Sequence, residues 1–220
     1  MNTSPDQRRS FIQRRMPAAG SAHITGGTGL KLADLSLRPR WGVKGRDAFA
    51  WLAGQGAGVP ARENAAERQR DGSLIARLSP GEALVLASLP RGQSALQAAI
   101  EALPTEGLGA CYPVPRWDSH CWFAVAGADA PRMFAKLCGV DLAAESFPDG
   151  SVAQTSVARL SAIVIRSDIG NAVTFSLLAD SASTEYLWDC LVDAMDEFSG
   201  VICDIELLSS AKIGSNEGQA

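Results

Sequence analysis

The stretch Trp41-Gly42-Val43-Lys44-Gly45-Arg46-Asp47-Ala48 has a counterpart 82 residues further on, Phe123-Ala124-Val125-Ala126-Gly127-Ala128-Asp129-Ala130. A second match, Ala76-Arg77-Leu78-Ser79 with Ala158-Arg159-Leu160-Ser161, falls at the same spacing of 82. One match could be chance in a chain this rich in alanine. Two at one spacing point to an internal repeat, and a repeat is read before any single element.

Each copy predicts the same series of elements. An apolar strand (near Leu37–Val43, then Cys121–Ala126) runs into a glycine. A helix follows with Asp47 or Asp129 in its first turn, where a carboxylate sits well against the positive end of the helix dipole. In the second copy Ala130, Met133, Phe134 and Leu137 share one helix face. Two strands come next: Ser73–Ser79 and Ala83–Ser88 across Pro80-Gly81-Glu82, then Val157–Ile165 and Val173–Leu177 across Ser167–Asn171. A closing helix carries Leu96, Ala99, Ile100 and Leu103 in the first copy. In the second it carries Leu187, Cys190, Leu191, Ala194, Met195 and Phe198 behind a Ser183 cap. Leu96 and Leu187 are 91 apart, so the second hairpin is expected to be about nine residues longer. A last short strand is expected over Val201–Leu207. The fold class that results is α+β, two repeated β-α-β-β-α units sharing a core, each with helices on one face of a small sheet. Repeats of about 37–105 and 119–208 make one domain over 31–208. A disordered basic tail is expected over 1–30 and a flexible tail over 209–220.

With 220 residues, 46% hydrophobic and 20% charged, the chain can bury a sizeable core. A net charge of -4 argues against nucleic acid as a partner, because phosphate-backbone binding needs a basic surplus. No apolar run approaches a membrane span, so no membrane partner is expected. Arg8-Arg9-Ser10-Phe11-Ile12 has the look of a twin-arginine signal, but Gln13, Arg14, Arg15, Met16 and Pro17 follow it instead of an apolar stretch. The five cysteines are odd in number and lack a C-x-x-C pair, which favours reduced thiols and a cytoplasmic location. His23 and His120 are the two histidines. His120 and Cys121, as strand neighbours, point to opposite faces, so no metal site is expected.

Signatures of chemistry are missing. There is no G-x-x-x-x-G-K-[ST], no G-x-G-x-x-G behind a strand and no G-x-S-x-G. Gly54, Gly56 and Gly58 follow a helix and read as its stop and a flexible connection. Asp47 and Asp129 read as structural, and Arg62, Glu63, Glu67, Arg68 and Arg70 as a solvated face. No catalytic, cofactor-binding or metal residue is therefore assigned. Two segments lean toward binding: Arg38-Pro39-Arg40-Trp41 and Tyr112-Pro113-Val114-Pro115-Arg116-Trp117 precede the first helix of each copy. Arg, Tyr and Trp anchor protein interfaces, so Arg38, Arg40, Tyr112, Arg116 and Trp117 are the candidate partner-contact residues. The competing reading puts Trp41 in the core and leaves the prolines to stiffen a linker.

Asp34-Leu35-Ser36 followed by Val43-x-Gly45-x-Asp47-Ala48-x-x-x-x-Leu52 resembles the opening of the folate-binding aminomethyltransferases, the glycine-cleavage T-proteins and their relatives. More specifically, three segments resemble the gamma subunits of heterotetrameric sarcosine oxidases: Arg38–Gly45, Val152–Ser161 and Thr184–Trp188. The resemblance spans about 33–208. It implies an aminomethyltransferase folate-binding-domain-like fold and a bacterial, cytoplasmic flavoenzyme complex of alpha, beta, gamma and delta subunits. Such a complex oxidises sarcosine to glycine, with hydrogen peroxide and either formaldehyde or 5,10-methylenetetrahydrofolate as products. It implies FAD, FMN, NAD, zinc and tetrahydrofolate on the partner subunits and none on this chain. In the folate-using relatives an acidic residue follows the strand that corresponds to Asp71–Arg77. Here Ala76 and Arg77 stand at that end and Asp71 at the other. The expectation is a non-catalytic subunit that supports assembly. The alternatives are a stand-alone folate-binding transferase or regulator, and an assembly factor sharing the fold.

Overall fold

A computed structural model describes residues 9–14, 29–88, 95–204 and 208. Eleven strands among these residues form two antiparallel-rich sheets, placed back to back with helices on both outer faces. The first half contributes β2 (Arg40–Lys44), α1 (Ala48–Gly54), β3 (Ala65–Arg68), β4 (Leu74–Ser79), β5 (Glu82–Leu86) and α2 (Ala95–Glu101). The second half matches it with β7 (His120–Ala126), α3 (Ala130–Phe134), β8 (Val152–Val157), β9 (Leu160–Arg166), β10 (Thr174–Asp180) and α4 (Thr184–Asp196). Three strands complete the sheets: β1 (Lys31–Asp34), β6 (Tyr112–Pro115) and β11 (Val201–Ile202). The sheet orders are β11-β1-β7-β10-β9-β8 and β3-β4-β5-β2-β6.

The two halves exchange their leading strands. β1 precedes the first half yet pairs with β7 of the second, Asp34 opposite Phe123. β6 precedes the second half yet pairs with β2 of the first, Trp41 opposite Pro115. The long edges are stitched together as well. Val152 N–H donates to Asn64 O (3.0 Å) and Ala66 N–H to Gly150 O (2.7 Å), where β3 and β8 begin. Neither half has a complete sheet of its own, so both fold as one body.

Alternation along the strands sorts side chains into three apolar layers. Ala33, Leu74, Ala76, Leu84, Leu86, Trp122, Ala124, Ile165 and Leu178 fill the layer between the sheets. Val43, Ile75, Ala83 and Val85 meet Leu52 of α1 and Leu96 and Ile100 of α2 on one outer face. Phe123, Val125, Val164, Phe175 and Leu177 meet Phe134 of α3 and Leu187, Trp188 and Leu191 of α4 on the other. Both faces of β4 and β5 are covered, which is why these strands read as near-continuous apolar runs. Seven-residue helices such as α1 and α2 are not stable alone, and burial of Leu52, Leu96 and Ile100 holds them.

Several expectations need correction. Each half is β-α-β-β-β-α, one strand more than expected, because β3 and β8 join their sheets as edges. Glu67 and Arg68 are exposed as expected but sit on β3, an edge strand that alternating Glu and Arg disguises. The leading strand begins at Arg40, and Leu37 lies in a turn, 49% exposed. The second repeat match is a coincidence of sequence. Ala76-Arg77 lies inside β4, whereas Ala158-Arg159 forms the β8–β9 turn with φ of 49° and 69°. Register makes Ile75 the counterpart of Val164. The extra length of the second half therefore enters mainly between α3 and β9, not in the later hairpin. Helix α3 stops at Phe134, though Leu137 still packs on the core from the following turns. Asp47 and Asp129 stand at N-cap positions without capping their helices. Asp47 instead accepts from Ala110 N–H (3.0 Å) and Asp129 pairs with Arg132 (2.7 Å). Ser183 likewise makes no side-chain cap.

The segment expected as a disordered tail includes an anchored turn. Ser10 Oγ donates to Asp34 and Ile12 is fully buried in the layer under α3 and α4, while its neighbour Phe11 stays exposed. Residues 1–8, 15–28 and 209–220 of the expected tails lie outside the described residues. The last strand is two residues, Val201–Ile202, and 205–207 of its expected span lie outside the described residues.

Candidate functional site

Four of the five candidate partner-contact residues, Arg38, Arg40, Arg116 and Trp117, converge where two loops cross between the sheets. Residues 35–39 carry the chain from β1 to β2, and residues 116–119 carry it from β6 to β7. Arg40 lies beneath both loops and is fully buried. Its guanidinium donates to the carbonyl oxygens of Ser36 (3.0 Å), Arg38 (3.0 Å), Trp117 (2.5 Å) and His120. Arg40 is thus corrected from a surface anchor to an internal fastener. Alternation along β2 turns it into the layer between the sheets, where loop carbonyls facing inward need a donor.

The neighbouring groups form a continuous polar chain. Arg116 pairs with Glu82, which also holds Lys44 at 3.2 Å, and Arg116 Nη1 stands 3.4 Å from His120 Nε2. An arginine can only donate, so Nε2 accepts and the proton of a neutral His120 sits on Nδ1, which faces Ser119 Oγ at 2.8 Å. Burial, and then the positive charges of Arg116 and Arg40, hold the His120 pKa below its ordinary value. At neutral pH it is an uncharged imidazole. Arg38 is half-buried and donates to Ser88 O. Trp117 is half-buried over Arg40. Tyr112 stands apart at the far end of β6, opposite Lys44, and is 46% exposed beside the exposed Leu108.

Next to His120 part of the inner face of the six-stranded sheet is left open. The opening, about 450 Å³, is lined by His120, Gln154, Ser156, Ser161, Ile163 and Leu178. Gln154 bridges the sheets by donating to Leu78 O (2.6 Å) and Asn64 Oδ1 (3.0 Å). Sequence reasoning missed this cleft. Its signal was the run Val152-Ala153-Gln154-Thr155-Ser156, whose inward positions turn from apolar to polar along one strand.

The remaining candidates are used structurally. Cys121 is buried on the opposite face of β7 from His120, and among the described residues no cluster of His, Cys, Asp or Glu could hold a metal ion. Ala76 is buried between the sheets. Arg77 lies over the Phe49 ring at 4.2 Å and donates to Pro60 O (3.1 Å). Its counterpart Arg166 pairs with Asp168 (2.8 Å) and donates to Phe147 O (3.0 Å). Each arginine therefore ties down the connection that follows the first helix of its half. Asp71 accepts from its own turn, Ser73 N–H and Oγ. The end of β4 thus carries Ala76 and Arg77, and the carboxylate in register with its last residue, Glu82 opposite Ser79, is paired with Arg116 and Lys44.

No protein-family model and no curated protein matches this chain. Among solved structures it is similar to a chain of the heterotetrameric sarcosine oxidase from Corynebacterium sp. U-96, solved in complex with pyrrole 2-carboxylate. That likeness has 23% identity and a TM-score of 0.67, and covers 94% of this chain and 99% of the other. It is also similar to the glycine cleavage system aminomethyltransferase T from Bartonella henselae, at 16% identity and a TM-score of 0.59. Here 82% of this chain and 49% of the other are covered, so the chain spans about half that enzyme's length. At such identities the likeness establishes the fold, and the expected α+β class with two units sharing a core is the fold found.

Proposed function

We propose that this chain is a non-catalytic, gamma-type subunit of a heterotetrameric sarcosine oxidase complex in the bacterial cytoplasm, supporting assembly with alpha, beta and delta partners of which alpha and beta carry the flavins. The complex would oxidise sarcosine to glycine, with hydrogen peroxide and formaldehyde or 5,10-methylenetetrahydrofolate as products. FAD, FMN, NAD, zinc and tetrahydrofolate would reside on the partners. The observation that carries this reading is the end-to-end match, 94% of this chain on 99% of one chain of such an enzyme. The use of Arg40, Arg77 and Arg166 to fasten loops supports it, because these guanidiniums are taken up by carbonyl oxygens of the chain itself. In this reading Arg38, Tyr112, Arg116 and Trp117 lie on the partner-facing side, with Tyr112 the most exposed anchor.

The test is to tag the chain, purify it from its native cell and record the visible spectrum. Flavin absorbance that bleaches on adding sarcosine is the expected result, and Tyr112→Ala should lower the yield of complex without changing turnover per flavin. A colourless chain of 23.1 kDa recovered alone would overturn the reading. The likeness to aminomethyltransferase T favours a second reading, a stand-alone folate binder or regulator. A lone, folded chain that takes up tetrahydrofolate in a titration would establish it in place of the first.

A further inference from the structure

The internal two-fold relation supplies a comparison within the molecule. By register, Ile163 and Leu178 are the counterparts of Leu74 and Leu86, Gln154 of Arg68, and Arg40 of Trp122. The two ends of the inter-sheet layer thus have the same design with different filling. At the end bounded by Leu74, Leu86 and Arg68, the Trp122 indole lies between the sheets, 1% exposed, with its N–H donating to Ser176 Oγ at 3.1 Å. The opening beside it measures about 20 Å³. At the other end Arg40 stands in the place of Trp122, and its guanidinium turns away to the loop carbonyls. About 450 Å³ is left open, and Ile163 is half-buried where its counterpart Leu74 is 6% exposed.

We infer that this open end receives an aromatic side chain of the tyrosine or tryptophan type, inserted by a protruding segment of a partner subunit. This inference rests on the assembly reading above. The ring would lie on the half-buried Ile163, as the Trp122 indole lies on the matching Leu74, and its O–H or N–H would meet Gln154, Ser156 or His120. The rim holds uncharged groups, including a neutral imidazole, which suits an uncharged polar handle better than an ion. Residues 1–8, 15–28, 89–94, 205–207 and 209–220 contain no Phe, Trp or Tyr and do not supply the ring. An aromatic seated in a pocket at a subunit boundary is the usual form of an interface hot spot.

Ser161 is exposed on the rim and pairs with Ser156 across the hairpin, so either position can carry a plug. Ser161→Trp fills the opening from within, and Ser161→Ala removes only a hydroxyl. Tagged wild-type and variant chains are recovered from the native cell, and partner protein per tagged chain is measured beside the melting temperature of each isolated variant. The expected result is at least ~10-fold less partner with Ser161→Trp, an unchanged amount with Ser161→Ala, and unchanged melting of both. Should Ser161→Trp melt early, Ser156→Trp provides the same test from the facing strand. Wild-type recovery by a plugged, folded variant overturns the inference and leaves the assembly reading standing. A wild-type chain that comes out alone overturns both. A photo-crosslinker at position 156 should join the complex to an aromatic-bearing peptide of the partner. Crosslinking to residues 209–220 or to a second copy of this chain would overturn the inference.

Discussion

Replacing Arg40 by methionine removes the group on which both inter-sheet loops hang. Four carbonyl oxygens lose a charged donor. Ser36 is buried, while Arg38, Trp117 and His120 are half-buried and open to water on relaxation. Counting a full desolvation loss of about 1–3 kcal/mol at Ser36 and about 1 kcal/mol at each of the others gives about 4–6 kcal/mol. That is a large part of the ~5–15 kcal/mol by which domains are usually stable. At this chain length it corresponds to roughly 8–24 °C in melting temperature. Arg40→Lys keeps the charge but cannot span four carbonyls with one ammonium, so it should fall between the two. The assay is thermal and urea unfolding of the isolated chain, followed by far-ultraviolet circular dichroism. Complex yield should then fall only as far as the loss of folded chain predicts. An Arg40→Met chain that melts within about 3 °C of wild type would refute the account of Arg40 as a fastener.

The His120 pKa is held below its ordinary value of about 6.5 by burial and then by Arg116 and Arg40, so the unfolded chain takes up a proton first as pH falls. Stability should therefore be level above about pH 7 and decline as pH drops through 6.5. His120→Gln should flatten that decline in urea unfolding curves measured from pH 7.5 to 5.5, and an unchanged slope would count against it. Cys111, Cys121, Cys138 and Cys203 are buried and Cys190 is half-exposed. Burial also raises the pKa values of Cys111 and Cys121 and pushes that of Cys203 up to about 11. A thiol reagent should modify one cysteine quickly in the native chain and the rest only on unfolding; two or more fast thiols would contradict the packing. Gly45 has φ +131°, and a Cβ there would stand 2.0 Å from Ala110 O, so Gly45→Ala should cost at least ~2 kcal/mol. Gly54 faces open space at a helix end, and Gly54→Ala should change stability by less than ~1 kcal/mol in the same unfolding assay.

Much of the fold was legible because its signals are local. Glycine after an apolar strand, at Gly45 and Gly127, marks the same turn twice, with φ of 131° and 134°. The stripe Leu187, Leu191, Ala194 and Met195 marks α4, and the alternation of Phe175 and Leu177 marks β10. Edge strands β3 and β8 were hidden because one face of each meets water, so their polar residues break the apolar run. Among the candidate contacts, type and position were visible but direction was not. Arg38, Arg40, Arg116 and Trp117 were read as lying ahead of the first helix of each half, yet nothing in their order says that Arg40 turns inward.

The amino-acid order by itself determined the repeat, the α+β class, the two halves with their outer helices, and the absence of familiar catalytic motifs, because each follows from periodicity within a few residues. Tertiary structure alone decided that β1 and β6 change places between the halves, that Arg40 and Trp122 occupy matching positions, and that one end of the inter-sheet layer is filled while the other is open. Those facts depend on which strand lies beside which across some eighty residues of chain. Pairing at that distance is set by the packing of both sheets together, which no single segment encodes.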